Sequence, residues 1–341
     1  MRTTPTRVLV VDDSAFFRKQ ITACLEADPG YRVVGCAGDG RSAVALAARL
    51  APDVVTMDVA MPVMDGIDAV RRIMQARPVP ILMISALTRA GAEATLAALD
   101  AGAGDFITKP TLASAAERGR FGARLRQRLG ALRDAPVDAA RRVAPLARGL
   151  TRGSAEVDCV VIGASTGGPP LVGRILAALP AAFARPVVVA QHMPGSFTGY
   201  FAERLDGQCD IRVRLASDGI RLEPGTAYIA PGGCQTTFVG RGEKRLRVVG
   251  DEVERYRPCI DRTFASAAEV FGRRVLAIVL TGMGDDGRAG GGCLKAAGAP
   301  VWAQDESSSA VFGMPRAVIE AGLADAVLPG DAIAPRLLAA P

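Results

Sequence analysis

Short apolar runs recur down this chain, and each gives way to a stretch with helical spacing. VLVV (8–11) precedes a helical pattern over 15–27, YRVVGCA (31–37) precedes one over 40–50, and DVVTM (53–57), PVPILMIS (78–85) and DFIT (105–108) continue the series. Further helices are expected near 65–76, 89–101 and 112–132. Runs this short are buried strands, and parallel strands need a crossover long enough to hold a helix. Five such units predict a five-stranded, doubly wound parallel sheet with helices on both faces, so the fold class is α/β.

A second alternation starts after residue 154. Strands are expected at 157–162, 186–190, 211–215, 226–230, 236–239, 246–249 and 275–280. Helices are expected near 168–179, 196–206, 261–271, 287–297 and 315–321. This predicts a larger doubly wound α/β domain with a mainly parallel sheet and an antiparallel edge, because 211–250 has several strand patterns and no long helix. The stretch between the two alternations has no apolar period. The expected division is therefore a domain over 1–132, a linker over 133–154 and a domain over 155–341.

Charge is also unevenly distributed along the chain. All of the positive excess lies in residues 117–152, which are net +7 with ten arginines against Glu117, Asp134 and Asp138, and the whole chain is +6. Residues 1–116 are neutral, and 153–341 carry 19 basic and 20 acidic side chains. A DNA-binding domain needs its own basic face, and neither domain has one; no nucleic-acid partner is expected. No apolar run reaches the roughly 18–20 residues that span a bilayer, and no long one precedes Asp12, so neither membrane insertion nor a leader is expected. Seven scattered cysteines without a CxxC pair suit a reducing, cytoplasmic setting. His192 is the one histidine, so any imidazole chemistry rests on it.

In parallel sheets, functional groups gather at the carboxyl ends of strands. Asp12 and Asp13 close the first expected strand, Asp58 the third, Ser85 the fourth and Lys109 the fifth. Three carboxylates together call for a hard cation such as Mg²⁺, and a hydroxyl and an ammonium beside them suit phosphoryl oxygens. VLVVDDS, MDVAMPVMDG and TKP resemble the receiver domain of bacterial response regulators, over about 5–130. The resemblance implies that Asp58 accepts the phosphoryl group, that Asp12, Asp13 and Asp58 hold Mg²⁺, that Ser85 and Lys109 contact the phosphoryl group, and that Phe106 is the switch aromatic.

In the second domain, Gly163-Ala164-Ser165-Thr166-Gly167 follows a strand and opens a helix. It fits G-x-S-x-G, a turn that exposes a serine hydroxyl at a helix N-terminus, where backbone N–H groups stabilise an oxyanion. A dinucleotide fingerprint fits worse, since GASTGG lacks the G-x-G-x-x-G spacing and the next strand ends in Gln191-His192 rather than an acid. Asp285 and Asp286 follow a third strand. Serine, histidine and an acid on three strand ends give nucleophile, base and orienting group, although the two acids also suit capping of the helix before Arg288.

IGASTGG, QHMP and LTGMGDDG resemble the catalytic domain of the chemotaxis methylesterases, over about 155–341. With a receiver ahead of it, the whole chain is similar to the response-regulator methylesterases. That resemblance implies a triad of Ser165, His192 and Asp286, with the backbone N–H groups of Thr166 and Met283 at the oxyanion. It further implies a phosphorylation-activated esterase that hydrolyses glutamate methyl esters on chemoreceptor helices and deamidates receptor glutamines. A chemotaxis histidine kinase would be the phosphodonor, and Mg²⁺ would serve the receiver, with no cofactor for the esterase step. Two rival readings are a DNA-binding response regulator, which a gel shift would reveal, and a protein-binding module with an inactive triad, which would resist serine-directed phosphonates.

Overall fold

The computed structural model describes residues 4–110, 114–134, 157–250, 254 and 256–339. Two compact units emerge, Met1–Ala140 and Arg141–Pro341. The expected linker, from residue 135 onward, lies outside the described residues up to 156. Among the described residues no helix is long and apolar enough to cross a membrane.

The first unit runs β1 (Thr6–Val11), α1 (Ala15–Glu26), β2 (Tyr31–Ala37), α2 (Gly40–Leu50), β3 (Val54–Asp58), α3 (Gly66–Ala76), β4 (Ile81–Ser85), α4 (Arg89–Asp100), β5 (Asp105–Thr108) and α5 (Ala115–Arg133). The five strands form one sheet in the order β2-β1-β3-β4-β5, parallel at every pairing. β1, β3 and β4 read as unbroken apolar runs because helices cover both of their faces. Val8, Val10, Leu82 and Ile84 meet Phe121, Leu125 and Leu129 of α5 in one core, and each fully buried side chain of this size contributes about 1.5–3 kcal/mol. Every helix of this unit starts at a side-chain cap: Ser14, Asp39, Asp65, Thr88 and Ser114 each accept the N–H three residues on.

The second unit begins β6 (Cys159–Ala164), α6 (Gly168–Ala177), β7 (Val187–Gln191), α7 (Gly195–Asp206), β8 (Arg212–Leu215) and β9 (Thr226–Ile229). It continues through β10 (Cys234–Val239), β11 (Arg245–Gly250), α8 (Ile260–Phe271), β12 (Val275–Val279), α9 (Arg288–Ala296), β13 (Val301–Gln304), α10 (Met314–Glu320), β14 (Ala326–Leu328) and α11 (Gly330–Ala339). Seven strands form a parallel sheet in the order β14-β13-β12-β6-β7-β9-β8. β10 and β11 make the antiparallel pair, and they are tied to α8 rather than hydrogen-bonded along the large sheet. The Ser266 hydroxyl accepts the Phe238 N–H at 3.0 Å, and the Thr263 hydroxyl donates to the Thr236 carbonyl at 2.9 Å. β13, β14 and α11 go beyond the sequence reading. The two strands have only four and three residues, and α11 contains Pro335; such short or interrupted segments carry too few residues to show a period.

Two glycines of the first unit give opposite expectations for one substitution. A Cβ on Gly66, at the start of α3, would fall inside van der Waals contact of the Asp58 carbonyl oxygen, whereas one on Gly119, within α5, would meet nothing within 4 Å. Gly66→Ala should cost about 1–3 kcal/mol as an overpacked contact, speeding amide hydrogen exchange in β3 and α3. Gly119→Ala should slow exchange in α5, since alanine gains about 0.5–1 kcal/mol over glycine in a helix.

Candidate active site

Each unit brings a cluster of polar groups to the carboxyl ends of its central strands. In the first unit, Asp12 and Asp13 follow β1 and Asp58 ends β3. Asp12 is fully buried, Asp58 is 5% exposed and Asp13 lies at the surface. One carboxylate oxygen from each lies within 4.8 Å of the other two. Lys109, just past β5, places its Nζ 2.8 Å from Asp12 Oδ2 and 2.7 Å from Asp58 Oδ2. Three carboxylates against one ammonium leave a negative pocket of hard oxygen ligands, which fits Mg²⁺.

The charges shift one another. Burial pushes the Asp58 carboxyl above its ordinary range, opposed by the hydrogen bond from Lys109 and reinforced by the Asp12 charge. For Lys109 burial acts downward, and the hydrogen bonds to Asp12 and Asp58 outweigh it and raise the ammonium. The Val59 N–H donates to Asp58 Oδ1 at 2.8 Å, so the outer oxygen is the one paired with Lys109. The Ser85 hydroxyl is turned to the Gly91 carbonyl, at 3.1 Å, rather than to Asp58, and Phe106 is buried.

In the second unit the strand order β12-β6-β7 sets three ends side by side. The register pairs Ala164 with Gln191 and Val279 with Gly163, so Ser165 and His192 each stand one residue beyond a paired position. The His192 N–H donates to the Ala164 carbonyl at 2.9 Å and the Ser165 N–H to the Thr281 carbonyl at 3.0 Å, which locks both neighbouring ends to the elbow. Gly167 takes φ +75°, a left-handed conformation that an L side chain rarely adopts. Gly282 packs so closely that a Cβ there would lie 2.8 Å from Ser165 Cβ. The buried Gln191 donates through Nε2 to the Ser165 carbonyl at 2.9 Å.

His192 Nε2 lies 2.8 Å from Asp286 Oδ2, with side-chain exposures of 9% and 2%. That contact leaves Nδ1 as the nitrogen free to serve a nucleophile. Asp286 also accepts the N–H of Ile260 at 2.9 Å and of Asp261 at 2.8 Å, and the Cys259 thiol approaches its Oδ1 at 3.6 Å. Burial alone would raise this carboxyl, but the hydrogen bond and charge of His192 and the two backbone donors hold it below the usual range. The Cys259 thiol is pushed up to about 12, by burial first and then by Asp286 and Asp261, so it stays a neutral donor. Ser165 is 4% exposed, and among the described residues its hydroxyl makes no hydrogen bond to His192. Such bonds often tighten only when substrate is bound. The Met283 N–H has no partner among the described residues.

The structure thus brings His192 and Asp286 into contact and sets Ser165, Gly282 and the Met283 loop against one another. Asp285 is exposed and stands off from the imidazole contact. Four residues of the site lie outside the sequence reading. In the sequence Gln191 marks only a strand end. Cys259 and Asp261 donate backbone or thiol groups to Asp286, while the Asp261 carboxylate accepts the N–H groups of Gly287 and Gly290 at 2.9 and 2.7 Å. Tyr256 stacks on His192 from a segment with no periodic signal.

The family model for CheB methylesterase matches residues 160–337, and that for the response regulator receiver domain matches 8–116. The chain is 45% identical to a protein-glutamate methylesterase/protein-glutamine glutaminase of Vibrio vulnificus, covering 97% of this chain and 98% of the relative. It is 46% identical to one of Pseudomonas putida, over 98% and 99% of the two chains. The crystal structure of the Thermotoga maritima CheB methylesterase catalytic domain aligns with a TM-score of 0.52 at 41% identity, covering 54% of this chain and 99% of that one.

The raised Asp58 carboxyl makes a prediction about stability. A carboxyl whose folded pKa lies above its unfolded value destabilises the fold when ionised and costs nothing once both states are protonated. Asp58→Asn should therefore stabilise the first unit at pH 7, and the gain should shrink as pH falls through the raised folded value and vanish below the unfolded value of about 3.9. Unfolding followed across pH 3–7, a range set by that same value of about 3.9, checks both the sign and the trend.

Proposed function

The chain belongs to the CheB methylesterase family, with a receiver domain ahead of the catalytic one, and from that premise we propose how its own residues carry out a phosphorylation-activated hydrolysis. The protein is a protein-glutamate methylesterase and glutaminase whose substrates are methylated glutamates, and certain glutamines, of chemoreceptors. The reading rests above all on the His192–Asp286 contact: the one imidazole in the chain is held by a buried carboxylate beside a G-x-S-x-G elbow.

Ser165 Oγ attacks the ester carbonyl carbon while His192, through Nδ1, takes the hydroxyl proton. The charge that forms on the carbonyl oxygen is met by the N–H groups of Thr166 and Met283. Collapse breaks the bond to methoxide, which leaves as methanol with the proton from His192. Water then gives its proton to His192 and attacks the glutamyl-serine ester, releasing glutamate and the free Ser165 hydroxyl. With a glutamine side chain the same steps expel ammonia. Asp286 stabilises the imidazolium without taking its proton, as the depressed carboxyl requires.

In the receiver, Asp12, Asp13 and Asp58 would hold Mg²⁺, which supplies charge neutralisation for phosphoryl transfer to Asp58. Lys109 is already in place to neutralise the phosphoryl oxygens, and Ser85 would have to leave the Gly91 carbonyl to join it. A chemotaxis histidine kinase is the donor, and the setting is cytoplasmic.

Methanol release from methylated receptor membranes, with and without a small phosphodonor, tests the reading. Ser165→Ala and His192→Ala should each lose on the order of 10⁴-fold, with the double variant losing little more because the groups act as a unit. Additive losses would argue against a shared mechanism. Asp286→Asn should cost less than either, Asp285→Asn far less again, and Asp58→Asn should keep the basal rate whatever phosphodonor is added.

A further inference from the structure

The segment from Tyr256 to Asp261 touches two members of the proposed triad at once. Its far end supplies the Ile260 and Asp261 N–H groups to Asp286. Its near end lays the Tyr256 ring flat on the His192 imidazole, with centroids 4.6 Å apart and planes 6° from parallel. This placement is built. Gln235, fully buried on β10, donates through Nε2 to the Tyr256 carbonyl at 2.9 Å and accepts the Cys259 N–H through Oε1 at 2.8 Å, so one amide pins both ends of the segment. The Gly233 N–H adds a bond to the Arg257 carbonyl at 3.2 Å. A Cβ on Gly284 would come within 3.2 Å of Tyr256 Oη, so the phenol end rests against the loop that carries Met283.

We infer that Tyr256 is a positioning residue of the reaction: its π face fixes the plane of the His192 ring and stabilises the imidazolium formed when His192 takes a proton. The inference rests on His192 being the base, as proposed above. Asp286 holds the imidazole along one edge and leaves it free to swing about that hydrogen bond. A parallel ring on its face removes that freedom. Once protonated, the imidazolium lies over the negative face of an aromatic ring, a contact that strengthens where water is excluded. Among the described residues, the following groups surround the His192–Asp286 pair. Asp286 stands at Nε2, with Cys259 and Asp261 behind it; Asp285 is exposed beside it; Ser165 lies on the neighbouring strand end; and Tyr256 covers the face. Tyr256 thus meets the charge across the ring face, whereas Asp286 meets it at the ring edge.

The test uses the full-length chain with Mg²⁺, a small phosphodonor and methylated receptor membranes. Tyr256→Phe is the reference, followed by phenylalanines of increasing ring fluorination at the same position, which keep the shape and weaken the π face. Along the series kcat should fall by about three- to thirtyfold in total, with KM little changed. The acid limb of kcat/KM should move to lower pH, because a face that favours imidazolium less lets His192 lose its proton sooner. A purely structural role would leave both flat at equal ring size. Tyr256→Leu, apolar but without a π face, supplies the same comparison if a fluorinated chain fails to fold. A series with unchanged kcat and limb, or one that moves KM alone, overturns the inference while leaving the triad standing. A wild-type profile with no acid limb at all removes His192 as the base, and the role of Tyr256 falls with it.

Discussion

Two carboxylates exchange places between two helices, and the catalytic edge depends on that exchange. Asp286 lies just before α9 and accepts the first N–H groups of α8. Asp261 lies in the first turn of α8 and accepts N–H groups at the start of α9. Each helix begins against the other's acid, so neither end can move without unpairing a carboxylate. Close approach makes this possible: a Cβ on Gly290 would come 2.6 Å from the Asp261 carbonyl oxygen and from Phe264 Cβ. The result is an Asp286 whose position is set by backbone rather than by a flexible side chain, which leaves its Oδ2 fixed for His192.

The two units treat helix starts in opposite ways. Each of the five described helices of the first unit gives one opening N–H group to its own capping side chain. None of α6 to α10 does so. Where self-capping is withheld, the N–H groups and the positive end of the helix remain for other work. At α8 and α9 that work is holding carboxylates, and α6 opens directly behind the Ser165 elbow. In the first unit the chemistry sits instead on strand ends, and its helices can close their own termini.

This difference governs how much is legible in the sequence. Asp12, Asp13, Asp58 and Lys109 can be found by reading along the chain, because each follows an apolar run and strand ends of a parallel sheet converge. Ser165, His192 and Asp286 are found the same way, since β12, β6 and β7 are long enough to read and adjacent in the sheet. The exchange between Asp261 and Asp286 is not legible: an acid in a first turn reads as an ordinary favourable charge on its own helix. Gln235 is invisible because its partners are backbone groups of Tyr256 and Cys259, more than twenty residues on. The rotation of Ser85 toward Gly91 is a side-chain torsion, which no residue pattern encodes.

Asp58 and Asp286 show how one residue type is shifted in opposite directions by its neighbours. Both are buried, and burial pushes both carboxyls upward. At Asp286, two backbone N–H groups and the imidazole outweigh burial, and no neighbouring acid crowds it as closely as those donors do. It stays ionised, which an orienting group for a cationic imidazolium needs. At Asp58 a single backbone N–H and a shared ammonium face the additional charge of Asp12, and the balance stays upward. A carboxylate held against its neighbours in this way is stabilised by whatever brings positive charge or removes the crowding. The donor count around each acid, more than its depth, separates the carboxyl held below its usual range from the one pushed above it.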